Sequence, residues 1–388
     1  MKNNDEYREL LESLSSEAFF AETKGGRILV KNCADRQPGR LDPRTAKALE
    51  ATRDGLTNRP WEYDPCLVRN VDKLCGPEEP RKFSPLERMR FQFGWNTEDL
   101  SPEVERSRLR FQTPEGEVTV WRYALPDVAP KAPAMVFVHG GGFAAGDVAM
   151  SENQCRLLAK LIGGVSFSVD YPLCPEVTAS QIVSMVYAVL CELHDQSQAY
   201  GLDPDRIAIG GDSAGGNIAL LCCLRARDEG KKPAFAQMLI YPLLSRAERP
   251  DQPGYFWNEA AYDNPSNCPA IAQACEAIGE SLAQINAWSL SKNEEPETPG
   301  CSPFFAEAKG LVPTLLLMAE YDFLRVQCEE YLSKLVRAGV PVRAVRYGGI
   351  FHGSFDRLGY APQTEDMVRE MAACYEHSVK DTGFWFDQ

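Results

Sequence analysis

From about residue 107 the chain alternates between short apolar runs bounded by glycine or proline and longer segments of helical period. "APAMVFVHG" (132–140) and "GGVSFSVDY" (163–171) are short, mainly apolar runs bounded by glycine and proline, as expected of strands buried on both faces. "SENQCRLLAKLIG", with Ser151 as its cap, and "SQIVSMVYAVLCELHDQ" repeat apolar residues at helical spacing. The rhythm continues through strand "RIAIG", helix "AGGNIALLCCLRARDEG", strands "QMLIYPLL" and "PTLLLMAE", helix "QCEEYLSKLVRAG", strand "VPVRAVRYGG" and a last helix across "TEDMVREMAACYEHSV". Strand and helix taking turns predict an α/β domain, its sheet mostly parallel and covered by helices on both faces. Ahead of it, "RSRLRFQTPEGEVTVWRYAL" predicts two alternating strands around a Pro-Glu-Gly turn.

Two stretches break this rhythm. Residues 1–105 mix helical pieces ("RELLESLS", "PRTAKALEAT") with loops bearing proline, cysteine and tryptophan. Residues 246–300 separate two strands by far more than the ~2–6 residues usual for such a connection. "YFWNEAAY" and "IAQACEAIGESLAQINAWSL" carry enough apolar residues to pack, which argues against a plain linker. The expected division is an N-terminal extension with cap helices over 1–105 and a main domain over 106–388. Within the latter, 246–300 forms a cap insertion above the C-terminal ends of the strands.

Composition narrows the choice of partners. The 388 residues carry a formal net charge of -14, with no Lys/Arg run, so a nucleic-acid partner is not expected. No window approaches the ~18 apolar residues of a membrane span, and "MKNNDEYRELLESLSSE" has no apolar signal core. The thirteen cysteines are scattered, form no C-x-x-C pair and lie near no cluster of histidines. Reduced cysteines in a cytoplasmic protein, without zinc or thioredoxin chemistry, are the expectation.

Between strand "RIAIG" and its helix stands Gly211-Asp212-Ser213-Ala214-Gly215, a G-x-S-x-G sequence at a strand-to-helix turn. A turn that tight leaves no room for side chains two residues either side, so glycine occupies both places. It lifts the Ser213 hydroxyl into a cleft beside a helix N-terminus that favours negative charge. Earlier, Gly140-Gly141-Gly142 follows another buried strand. It lacks the Lys-Ser/Thr of a phosphate loop and the spacing of a dinucleotide fingerprint. Backbone N–H groups of Gly140 and Gly141, with that of Ala214, are therefore expected to form an oxyanion hole.

A serine nucleophile needs a base and an orienting acid. His194 and His377 lie on helix faces, and His139 is expected to prop its loop. His352, in "RYGGIFHGSFD", follows the last strand on a loop from which it could reach Ser213. "LLLMAEYDFLR" offers Asp322, the better placed, and Glu320 as the alternative. The order Ser213, Asp322, His352 is that of α/β-hydrolases. Phe143 and Tyr171, with Phe304 and Phe305, are candidates to line a substrate pocket, though core packing accounts equally well for any one aromatic.

Together "HGGGF" (139–143), "DYPLCPE" (170–176), "DPDRIAIGGDSAGGN" (203–217), "SPFFA" (302–306), "AEYDFLR" (319–325) and "AGVPVRAVRYGGIFHG" (338–353) resemble the hormone-sensitive-lipase-like esterases, HGGG-bearing α/β-hydrolases. The resemblance implies the α/β-hydrolase fold, hydrolysis of small short-acyl carboxylic esters and a helical cap. It carries the triad onto Ser213, Asp322 and His352 and the oxyanion donors onto Gly140, Gly141 and Ala214. It implies no metal or organic cofactor. Where the family commonly has Tyr-Arg-Leu-Ala-Pro-Glu this chain has Tyr171-Pro172-Leu173-Cys174-Pro175-Glu176, and Phe323 stands where proline is usual. An amidase or peptidase on the same triad, and a weakly catalytic ligand-binding relative, are the alternatives. Matched ester and amide substrates separate the first, and labelling by a fluorophosphonate the second. Monomer and homodimer are both open.

Overall fold

A computed structural model describes residues 4–23, 25–46, 84–92, 97–265, 268–377, 380–381 and 383–385. The described residues form one ten-stranded sheet. Its central strands are β5 (Ala132–Val138), β6 (Val165–Asp170), β7 (Leu202–Asp212), β8 (Ala236–Ile240), β9 (Thr314–Tyr321) and β10 (Val342–Phe351). The hairpin β3 (Glu105–Thr113) and β4 (Gly116–Ala124) adds antiparallel to β6. The remaining strands, β1 (Phe19–Thr23) and β2 (Gly26–Lys31), lie at the opposite edge, giving the order β1-β2-β10-β9-β8-β7-β5-β6-β4-β3.

The apolar runs are strands because both their faces are buried. Along β5, Ala134, Val136 and Val138 enter one core and Met135 and Phe137 the other. In β9, Leu316 and Met318 alternate in the same way with Leu315 and Leu317. The first core also takes residues from helices α4 (Ala179–Asp195), α5 (Ala214–Asp228) and α7 (Arg325–Arg337). The second takes them from α1 (Asn4–Ser16), α3 (Glu152–Leu161) and α8 (Pro362–Ala373). Helices on both faces of a mostly parallel sheet are what the alternation predicts.

Local signals explain several boundaries. Thr178 caps α4 through a reciprocal capping box with Gln181. Ser151 occupies the cap position of α3, but its side chain makes no capping hydrogen bond. The short helix α2 (Pro85–Gln92) opens on Ser84-Pro85-Leu86-Glu87, where Ser84 N–H and Oγ–H reach Glu87 Oε2 at 2.8 and 2.7 Å. No helix of the described residues is long and apolar enough to cross a membrane.

The two interruptions behave differently. Residues 246–300 contain the 21-residue helix α6 (Pro269–Ser289), whose Ile278, Leu282, Ile285 and Trp288 face a cavity at the C-terminal ends of the strands. Part of the N-terminal extension read as cap material belongs instead to the sheet, because β2 pairs parallel with β10 and extends it. Lys31 on β2 is buried, with Nζ 2.6 Å from Asp366 and 2.7 Å from Glu370 on α8. Of the segment, Pro85 and Met89 on α2 do line the cavity. Of the helical piece expected at "PRTAKALEAT", residues 43–46 are helical and the rest lies outside the described residues.

β5 and β7 are neighbours, and the connection leaving β5 runs to β6 on one side while that leaving β7 runs to β8 on the other. That divergence opens a crevice at the ends of the two strands, where ligands of such sheets bind. The glycine run follows β5 and Ser213 follows β7, so the crevice has both on its rim.

Candidate active site

Ser213 sits between β7 and α5 with φ 54° and ψ -118°, outside the regions ordinary L-residues favour. The flanking glycines make the turn feasible. A Cβ on Gly211 would lie 2.1 Å from the Val138 carbonyl oxygen, and one on Gly215 only 1.9 Å from the same atom. His352, directly after β10, places Nε2 2.8 Å from Ser213 Oγ and Nδ1 2.8 Å from Asp322 Oδ2. Asp322, directly after β9, is fully buried, and its Oδ1 accepts the Leu324 N–H at 2.8 Å. The three residues singled out from sequence therefore form one hydrogen-bonded chain.

The alternative acid, Glu320, is engaged elsewhere, accepting from Arg36 at 2.5 Å and from the Gly349 N–H at 2.7 Å. His139 is buried, with Nδ1 2.8 Å from Gly140 O and its ring stacked on Tyr171. His194 pairs with Asp195 on α4, whereas His377 lies past the end of α8 rather than on a helix face and pairs with Asp381.

Burial works against a charged His352. The charge and hydrogen bond of Asp322, with Asp212 and Asp356 behind it, outweigh burial and raise its pKa above the ordinary histidine value. Burial pushes Asp212 up to about 7, against the opposing pull of the Gly140 N–H and of His352. Two tyrosines support the chain from behind. The Tyr262 hydroxyl donates to Asp322 O at 2.7 Å, and the Tyr241 ring lies 4.8 Å from that of His352. Neither was singled out from sequence, since nothing local distinguishes them from core tyrosines.

The expected places of five residues are corrected. The Gly140 N–H donates to Asp212 Oδ1 at 2.8 Å, so that amide is already committed. The glycines that line the cavity beside Ser213 and Ala214 are Gly141 and Gly142. Gly141 turns at φ 111°, and a Cβ there would lie 2.1 Å from Ala145 O. Phe143 is wholly buried under the Arg246 guanidinium, 4.1 Å from its ring, rather than in the cavity. Tyr171 is also buried, its hydroxyl donating to His139 O at 2.8 Å, so it shapes the glycine loop from beneath. Phe304 packs against Phe256 and Tyr331, and Phe305 against Gly254; neither lines the cavity.

The cavity measures about 610 Å³, within the roughly 300–1,000 Å³ range of small-molecule sites. Met89, Leu243, Ile278, Leu282, Ile285 and Trp288 give it apolar walls. Asp356 and Arg357 at its edge already pair with each other at 2.5 Å. Among the described residues, Cys33, Asp35 and Asp42 lie close enough to share a cation. Arg44 bonds both carboxylates, which makes that group a poor metal site.

A strand–serine–helix turn at the switch point of a mostly parallel sheet, with an acid and a histidine after later strands, defines the α/β-hydrolase class. The sequence matches the alpha/beta hydrolase fold family over residues 135–356. It is 30% identical over 281 residues to the carboxylic ester hydrolase LipN of Mycobacterium tuberculosis, covering 70% of each chain. Esterase LipI of the same organism is 30% identical over 283 residues, 71% of this chain and 82% of the relative. The solved hyperthermophilic esterase from Pyrobaculum calidifontis superposes with a TM-score of 0.65 at 27% identity, over 89% of this chain and 99% of its own. The chain thus belongs to the hormone-sensitive-lipase-like carboxylic ester hydrolases of the alpha/beta hydrolase fold.

Proposed function

We propose that the protein is a serine carboxylesterase that hydrolyses small, uncharged, short-acyl esters through an acyl-enzyme. The observation that carries this is the Ser213–His352–Asp322 chain, with both contacts at 2.8 Å, opening on the apolar cavity. His352 Nε2 takes the Ser213 proton as Oγ attacks the ester carbonyl carbon. The resulting oxyanion lies against the N–H groups of Gly141, Gly142 and Ala214, the last at the head of α5 where first-turn amides lack intrahelical partners. His352 then protonates the departing alcohol, and the carbonyl re-forms as the acyl-enzyme. Water, deprotonated by the same nitrogen, attacks that carbonyl and releases acid and Ser213. Asp322 holds the imidazole tautomer and stabilises the imidazolium without itself taking the proton.

The walls formed by Met89, Leu282, Ile285 and Trp288 suit uncharged substrates, and Arg357 is occupied by Asp356. Ser213→Ala is expected to remove turnover of p-nitrophenyl acetate and butyrate, together with labelling by a fluorophosphonate. Wild-type turnover in that variant would falsify the serine mechanism. A rate maximum at acyl chains of ten carbons or more would contradict the short-acyl assignment.

A further inference from the structure

The Arg90 guanidinium on α2 makes four contacts with two separate loops. Its Nε donates to Ala144 O at 2.8 Å and its Nη2 to Cys174 O at 2.9 Å. Nη1 and Nη2 grip Glu176 in bidentate fashion at 2.7 and 2.5 Å. Ala144 belongs to the loop that continues from Gly141 and Gly142, and its own N–H turns back to Gly141 O at 3.2 Å. The same loop is joined to the second segment by Cys174 N–H to Phe143 O at 2.9 Å. On α2 the neighbouring Met89 faces Gly142, since a Cβ on that glycine would lie 3.0 Å from Met89 Cε.

An eight-residue helix does not hold itself together in water. Ser84 and Glu87 cap α2, and Leu86 and Met89 pack it against the core. Arg90 is what ties it by hydrogen bonds to the glycine loop. The guanidinium is 13% exposed while Glu176 is 58% exposed. An ion pair with one partner that open is worth little to stability alone, whereas a planar fork that satisfies carbonyls on two loops fixes their separation.

The geometry points to Arg90 as a positioning residue. It braces the Gly141–Gly142 oxyanion loop against the Cys174–Glu176 segment and couples that loop to the seating of α2 on the cavity. The inference rests on the serine-esterase reading of the site. A brace of this kind acts on the transition state, because oxyanion donors must stand in place before charge develops. Misplacement by even 1 Å can lower rates by about 10²-fold.

The test compares Arg90→Met, which keeps much of the stem, with Arg90→Lys and Glu176→Gln, using p-nitrophenyl acetate and circular dichroism. Arg90→Met is expected to lower kcat about tenfold or more, with KM within roughly threefold. The acid limb of its pH profile should not move, because Arg90 does not touch His352. Arg90→Lys should recover part of the loss, and Glu176→Gln, which keeps both carbonyl bonds, should lose less than Arg90→Met. A folded Arg90→Met with kcat within twofold of wild type overturns the brace. So does a melting temperature that falls alone, and, if Arg90→Met does not fold, wild-type kcat in both other variants. Ser213→Ala in the same assay separates the two readings: an inactive Ser213→Ala beside a fully active Arg90→Met sinks only the brace.

Discussion

At residue scale the site sets two carboxylates to different tasks. Asp322 touches His352 directly and holds the imidazolium, so His352 titrates above the ordinary histidine value. With His352 as the proposed base, only its neutral form works, so activity is expected to be lost as pH falls through its raised pKa. The acid limb of kcat/KM is expected to have its midpoint above 6.5. Asp322→Asn removes the charge that supports the imidazolium. It should move that limb downward and lower kcat by roughly 10³–10⁴-fold. A limb that stays in place in this variant would show that another group titrates.

Asp212 takes no proton in the reaction as proposed; it holds Gly140. Its pKa near 7 lies well above the ordinary aspartate value of 3.8, so the folded protein binds a proton that the unfolded chain releases. Stability from this group is full below about pH 4 and declines as pH rises towards 7. Asp212→Asn keeps an oxygen for the Gly140 N–H and abolishes that decline. The variant is expected to be the more stable protein at pH 8, by on the order of 2–4 kcal/mol, and little different at pH 4. Urea unfolding at the two pH values checks this; an equal difference at both would discount the linkage.

At the scale of elements, β2, one strand in from the edge, is held by a buried ionic cluster as well as by its ladders to β1 and β10. Lys31 reaches Asp366 and Glu370, Arg343 on β10 reaches Glu370 at 2.6 Å, and the Tyr347 hydroxyl donates to Asp366 at 2.7 Å. Breaking such a set from one side leaves buried charge uncompensated, which destabilises by about 3–5 kcal/mol. Lys31→Met should therefore lower the urea midpoint by that equivalent, and adding Asp366→Asn should restore part of it. A loss under about 1 kcal/mol would mean that water reaches the cluster.

Elements buried on both faces were legible because the pattern that buries them is local. β5, β6 and β9 read as apolar runs, and Ser213, Asp322 and His352 each stand directly after a strand that the alternation marks. The N-terminal hairpin was not legible: β2 finds its partner in β10, and Lys31 in the sequence reads as a surface residue. Which glycine amide faces the cavity was equally hidden, because the Asp212 carboxylate, 72 positions away, takes the Gly140 N–H. Phe143 and Tyr171 show the same limit, since composition marks an aromatic residue but not the side on which it packs. Arg90 stood in a stretch without periodicity, and its acceptors lie 54 to 86 residues further on.

On the scale of the whole molecule, the sheet joins strands far apart in the sequence. Leu29 on β2 pairs with Val345 on β10, and Lys31 is neutralised by the last helix. Contacts of such long separation slow folding, because the loop between them must close before they contribute. During synthesis β2 can pair at once only with its hairpin partner β1, and its ladder to β10 waits until more than three hundred further residues have been added. At roughly 5–20 residues per second that interval is on the order of tens of seconds. Through it, Ile28 and Val30, fully or nearly fully enclosed in the finished fold, stand in water beside a lysine whose counter-ions have yet to be translated.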